Sequence, residues 1–194
     1  MTGARRRALL IPAPDRPLET EALAAVLGDP AIGGFDVTLL LNQPPSAMST
    51  AIGQFYADCG PDDLALLYVG GPGLRDRPLP RHVPDGRAGQ TVLILDGAEP
   101  GTGPGGFARH LVTGLRDGSA DLDGDGAITL DELRRYAADR SPAGAIGEAG
   151  TVRVADSPGW IGQGQTVIAR NPAWALPVYL RQAIGSRLTP ERLA

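Results

Sequence analysis

The sequence predicts an α/β fold built on a mostly parallel sheet. Two observations carry this. Over roughly the first 100 residues short apolar runs alternate with helical patterns, as βαβ units require. The run Leu64–Val69 is apolar on both faces, as a central parallel strand must be.

Each element has its own reason. Ala8–Ile11 is the first strand. Pro17–Leu27 reads as a helix: Pro17 stands near the start, where a missing N–H costs nothing, Leu23, Val26 and Leu27 share a face, and Gly28 ends the run. Phe35–Leu41 is the second strand. Ser46 fits as N-cap of a helix reaching about Asp58, before the third strand, Leu64–Val69, and the fourth, Thr91–Asp96. Between those last two, Gly70–Gln90 is rich in Gly, Pro and Arg and lacks periodicity, so it is a loop at the strand ends where such sheets place function. A glycine-rich passage, Gly97–Gly106, precedes a helix over Phe107–Leu115 with Phe107, Leu111 and Leu115 on one face. An acidic loop and a helix over Leu130–Asp139 come next. The expected organisation is one α/β domain over 5–140, a linker over 141–150, and a C-terminal part over 151–194. That last part carries short strands around Val152 and Val167 and a tail helix near Pro177–Ile184, all packing on the domain.

Composition narrows the chemistry. Gly and Pro make up 45 of 194 residues, about 23%, just below the level at which disorder becomes the default, so the chain should fold with long irregular connections. All 18 basic residues are Arg; without Lys there is no P-loop lysine, Schiff base or lysine general base. A net charge of -4 argues against nucleic-acid binding, which draws on neutralised phosphates. The single Cys excludes an internal disulfide and a thiolate zinc cluster, and fits a reducing compartment. No run reaches the ~20 apolar residues of a membrane helix. Arg5–Arg7 followed by Ala8–Ile11 resembles a signal sequence only until Pro12 interrupts it, so a cytoplasmic protein is expected.

Asp121–Glu132 matches every fixed position of the twelve-residue EF-hand calcium loop. Asp121, Asp123 and Asp125 occupy positions one, three and five, Ala127 offers its carbonyl at seven, and Glu132 at twelve can bind through both oxygens. Gly126 supplies the positive φ required at position six. Six carboxylates lie between Asp117 and Glu132 with no cation among them, and their repulsion opposes a compact loop unless an ion neutralises it. Calcium is the expected cofactor. The alternative is an Asp/Gly turn joining two helices. EF-hands usually pair through a β contact at position eight, here Ile128, yet no second loop is present in the sequence. A lone hand more naturally braces structure than senses calcium.

Taken in order, Arg7–Ile11, Leu27–Val37, Pro61–Tyr68 and Ala120–Gly126 resemble bacterial caspase-like (metacaspase-like) cysteine peptidases over roughly residues 5 to 140. The stretch Val167–Pro172 is also similar to the segment C-terminal to this domain in multidomain actinobacterial relatives. The resemblance implies a caspase-like three-layer sandwich carrying the helix–EF-hand-like loop–helix as an insertion, with a His after the third strand and a Cys after the fourth. The family pattern Ser-Gly-His-Gly falls on Gly70-Gly71-Pro72-Gly73, and Asp-x-Cys-x-Ser-Gly falls on Asp96-Gly97-Ala98-Glu99-Pro100-Gly101. Pro72 and Ala98 therefore stand where the imidazole and the thiol belong. A pyrrolidine ring moves no proton and a methyl group attacks no carbonyl.

No other residue fills the gap plainly. Cys59 precedes the third strand, which spans about 20 Å at ~3.3 Å per residue, so it lies at the wrong end of the sheet and reads as small, inert and half-buried. His82 lies in the loop after Pro72, and His110 reads as a surface residue. Asp96 matches the aspartate that, in arginine- or lysine-preferring relatives, helps bind the basic side chain, which implies a vestigial cationic pocket; the competing reading is an aspartate capping a turn. The expected function is a catalytically inactive pseudopeptidase that binds another protein, candidate partners including a caspase-like relative, with neither nucleic acid nor membrane as partner. Two alternatives stand beside it: a hydrolase using His82, Asp96 and Glu99, and a calcium-responsive binding module.

Overall fold

The computed structural model describes residues 4–14, 17–71, 88–96, 107–140, 150–154 and 164–175. Within them the order is β1 (Arg6–Ile11), α1 (Pro17–Gly28), β2 (Asp36–Leu39), α2 (Pro45–Ala57), β3 (Leu64–Gly70), β4 (Gln90–Asp96), α3 (Phe107–Asp117), β5 (Ala127–Thr129), α4 (Leu130–Arg140), β6 (Gly150–Val154), β7 (Val167–Arg170) and a 3₁₀ turn, Pro172–Ala175. Pro72, His82, Ala98, Glu99, nearly all of the 141–150 linker and the tail from 176 lie outside the described residues. No described helix is long and apolar enough to cross a membrane.

Five strands form the central sheet in the order β2-β1-β3-β4-β6. The first four run parallel, and β6 joins β4 antiparallel. Because side chains alternate across a strand, β1 sends Ala8 and Leu10 to one face and Leu9 and Ile11 to the other. On the first face, together with Leu66, Tyr68, Val92 and Ile94, they meet Leu23, Val26 and Leu27 of α1, Leu111 and Leu115 of α3, and Leu133 and Tyr136 of α4. On the second, with Ala65, Leu67 and Val69, they meet Ile52, Phe55 and Tyr56 of α2. Helices on both faces of a mostly parallel sheet make the predicted three-layer α/β sandwich.

Local details differ from expectation. Helix α2 begins at Pro45 with Pro44 as N-cap and no side-chain cap, so Ser46 lies inside the first turn. Two successive prolines preset the entry geometry, which removes the need for a capping hydroxyl. Strand β2 stops at Leu39: Leu41 is exposed, and the chain turns away at Asn42, where φ is 51°. Cys59 is buried rather than half-buried, and its thiol donates to the Phe55 carbonyl at 3.2 Å. The strands foreseen around Val152 and Val167 form but part company, β6 joining the central sheet and β7 pairing with β5 in a second one.

At the base of β3, Asp63 ties the chain entry to the sheet. It accepts the N–H groups of Arg5 at 2.9 Å and Gly60 at 2.8 Å and pairs with the Arg5 guanidinium at 3.2 Å. The Gly60 amide first, then the Arg5 amide, outweigh the opposing effect of burial and hold its carboxyl below the usual aspartate range. A depressed folded-state pKa stabilises the fold above the unfolded value, near about 4, and that contribution is lost as pH falls through the folded value. Asp63→Asn is therefore expected to lower stability at pH 7 by about 1–2 kcal/mol, and its deficit against wild type should shrink below about pH 4 in denaturant titrations.

Candidate metal centre

The acidic loop connects α3 to α4, and these two helices pack through Leu111, Leu115, Leu133 and Tyr136. At the exit of α3, Ser119 donates its hydroxyl to the Tyr136 phenol at 2.7 Å and locks the two helices together beside the loop. The loop then folds on its own carboxylates. Asp121 Oδ1 accepts Gly124 N–H at 2.8 Å, and its Oδ2 accepts Gly126 N–H at 3.0 Å. Asp123 Oδ1 takes Asp125 N–H at 3.1 Å. Gly126 has φ +94°, and a Cβ there would stand 2.7 Å from the Trp174 ring, so glycine is required on two counts.

Glu132 closes the loop. It lies in the first turn of α4 and is only 3% exposed. Its Oε1 accepts Leu122 N–H at 2.8 Å and Asp123 N–H at 3.2 Å, while its Oε2 accepts the Thr129 N–H at 2.9 Å and hydroxyl at 2.7 Å. Thr129 Oγ1 in turn accepts Glu132 N–H at 3.3 Å. That reciprocal pair is a capping box for α4. Burial works to raise the Glu132 pKa, but the donors from Thr129, Asp123 and Leu122 together prevail and hold it below the usual carboxylate range.

Asp121, Asp123 and Glu132 each present an oxygen within 4.8 Å of the others. Two oxygens sharing one calcium at ~2.3–2.6 Å can be at most about 5 Å apart, so the spacing fits a single hard cation. Among the described residues none of these three carboxylates has an ion pair with a basic side chain. Asp125 stands outside the triad, and its Oδ1 accepts the N–H of Ala127 at 2.8 Å. Ala127 opens β5.

The loop has a neighbour that lies far from it in sequence. Strand β7 pairs antiparallel with β5, setting Ile128 opposite Ala169, with a register irregularity between Ile128 and Thr129. Asn171 donates its side-chain amide to Asp121 Oδ2 at 2.8 Å and its backbone N–H to the Gly126 carbonyl at 2.9 Å. Neither Asn171 nor Trp174 announces this in sequence, because Asn171 and Asp121 are 50 residues apart. The visible hint was the β contact that position eight calls for without a second loop to supply it.

The second place of interest is the C-terminal end of β3 and β4. These neighbours run in register from Leu64↔Gln90 to Gly70↔Asp96. Gly71 N–H bonds the Asp96 carbonyl at 2.9 Å, and a Cβ on Gly70 would sit 3.0 Å from the backbone nitrogen of Ala13, beyond β1. Asp96 is buried, and its Oδ2 accepts the Tyr68 phenol at 2.9 Å. Burial first, then the Asp96 charge, drive the Tyr68 pKa well above its ordinary value, so the phenol stays a donor. Pro72 and Ala98 each come two residues after the Gly70↔Asp96 pair, outside the described residues.

No protein-family model matches the sequence, and no curated protein does. Among solved structures the chain is similar to one titled "Crystal Structure of drICE", with 14% identity over 78% of this chain and 91% of that one and a TM-score of 0.46. A likeness of that degree carries no weight for the chemistry. Strand order and register define the fold.

Proposed function

We propose that the chain is a catalytically inactive caspase-like domain, a pseudopeptidase that acts by binding another protein, with a calcium ion bracing its helix–loop–helix. One observation carries the reading: β3 and β4 are parallel neighbours with Gly70 opposite Asp96, and each chain position two residues beyond holds a side chain unable to perform acyl transfer. In the family that the sequence resembles, the base follows the third strand and the nucleophile the fourth; at the matching sequence positions this chain carries Pro72 and Ala98. A caspase-like relative is the first partner to try.

The calcium part is supported by the Asp121, Asp123 and Glu132 oxygens within 4.8 Å of one another. The residues that would hold the ion are these three, with Asp125 and the Ala127 carbonyl as the remaining loop positions of the motif. Bound there, the ion would neutralise the loop's carboxylates and fix the α3–α4 geometry.

The activity arm is tested with fluorogenic peptides ending in Arg or Asp, with and without calcium. Wild type and Asp96→Ala are both expected to match buffer. Turnover by wild type that Asp96→Ala abolishes overturns the pseudopeptidase reading in favour of a hydrolase using residues such as His82, Asp96 and Glu99.

A further inference from the structure

Segment 164–175 runs beside the acidic loop and meets it at Asp121, at Gly126 and from β5 into the start of α4. Gly164 and Thr166 accept, through their carbonyls, the N–H groups of Asp131 at 3.1 Å and Leu130 at 2.9 Å. Those amides open α4 and have no partner within the helix. Val167–Arg170 then runs along β5, burying Ile168 and Ala169 against Ile128 in the main core. Asn171 finishes the circuit by holding position one through the Asp121 carboxylate and position six through the Gly126 carbonyl. Trp174 lies against Gly126. The segment is also fastened to the central sheet: the Arg6 guanidinium donates to the Val167 and Ile168 carbonyls, and Arg170 N–H bonds the Ile32 carbonyl at 2.9 Å.

We propose that this segment is the acidic loop's built-in partner, standing in for the second hand of an EF-hand pair, so that ion binding and docking of the segment strengthen each other. The proposal rests on the calcium reading above. Its physical basis is shared atoms: Asp121 is both the first ligand of the motif and the acceptor for Asn171. Donation from Asn171 to Oδ2 fixes the orientation of that carboxylate before an ion arrives, and the ion in return fixes the group to which the segment is tied. Coupling of this kind is reciprocal. Asn171 is thus a positioning residue and not itself a ligand.

The test uses the full chain, wild type and Asn171→Ala, with calcium chloride as the probe. Affinity is read by calorimetric titration and docking by amide exchange over 164–171. Calcium is expected to slow wild-type exchange in this segment at least tenfold, and Asn171→Ala to weaken calcium binding about tenfold. The wild-type exchange measurement stands even if the variant folds poorly. An affinity in Asn171→Ala within twofold of wild type, or wild-type exchange over 164–171 indifferent to calcium, overturns the proposal and leaves the calcium reading intact. Absence of calcium binding to wild type overturns both.

Discussion

Glu132→Ala is expected to lower the stability of the calcium-free protein by about 3 kcal/mol and, in the same molecule, to abolish any response to calcium. The size reflects the groups that the carboxylate satisfies. Truncation strands the N–H groups of Leu122, Asp123 and Thr129 and the Thr129 hydroxyl in a site where Glu132 itself is 3% exposed. Leu122 and Asp123 are exposed, so water takes over their amides at little cost, whereas the Thr129 N–H of the capping box and the Thr129 hydroxyl, both less exposed, cost about 1–2 kcal/mol each when left without a partner. Glu132→Gln keeps the volume and one acceptor oxygen, so its penalty without calcium should be about half as large. Denaturant titration with and without calcium separates the structural loss from the metal loss.

Calcium is expected to raise the melting temperature of wild type by about 5–10 °C at a hundredfold excess over its dissociation constant, and that of Asp121→Ala not at all. Binding to the folded state alone is worth about 2.7 kcal/mol at that excess. For a chain of 150–250 residues each kcal/mol moves the midpoint by about 2–4 °C. Asp121 is the discriminating position because it belongs to the carboxylate triad yet lies in the loop rather than in the capping box. Magnesium should give a smaller rise, since it demands a tighter octahedral shell and sheds water reluctantly. Equal melting of wild type with and without calcium would remove the ion from the account.

What the sequence disclosed and what it hid divide along sequence distance. Strand β3 was legible because an uninterrupted apolar run has few other places to go than the middle of a two-faced sheet. The acidic loop was legible because its ligands and its obligatory glycine are spaced within twelve residues. The start of α2 differs from the sequence expectation because Ser46 offers a capping hydroxyl that the backbone set by Pro44 and Pro45 does not use. Asn171 and Trp174 were invisible for a different reason. Their partners, Asp121 and Gly126, lie about fifty residues upstream, and no local periodicity encodes that pairing. Asp96 is visible in sequence as a strand-end carboxylate, but its donor Tyr68 is not, since a tyrosine inside an apolar strand reads first as packing.

Cys59 gives the most direct access to the central claim, because it is the only thiol in the chain. It is 2% exposed, its hydrogen is given to the Phe55 carbonyl, and burial pushes its pKa up against the opposing pull of Arg7. A buried neutral thiol is a poor nucleophile. The decisive measurement is the intact mass of the folded protein after incubation with arginyl and aspartyl acyloxymethyl ketones in calcium. An unchanged mass is predicted for both reagents. A stoichiometric adduct on Cys59, lost when His82 is replaced by Ala, would show a thiol activated by an imidazole and contradict the pseudopeptidase account.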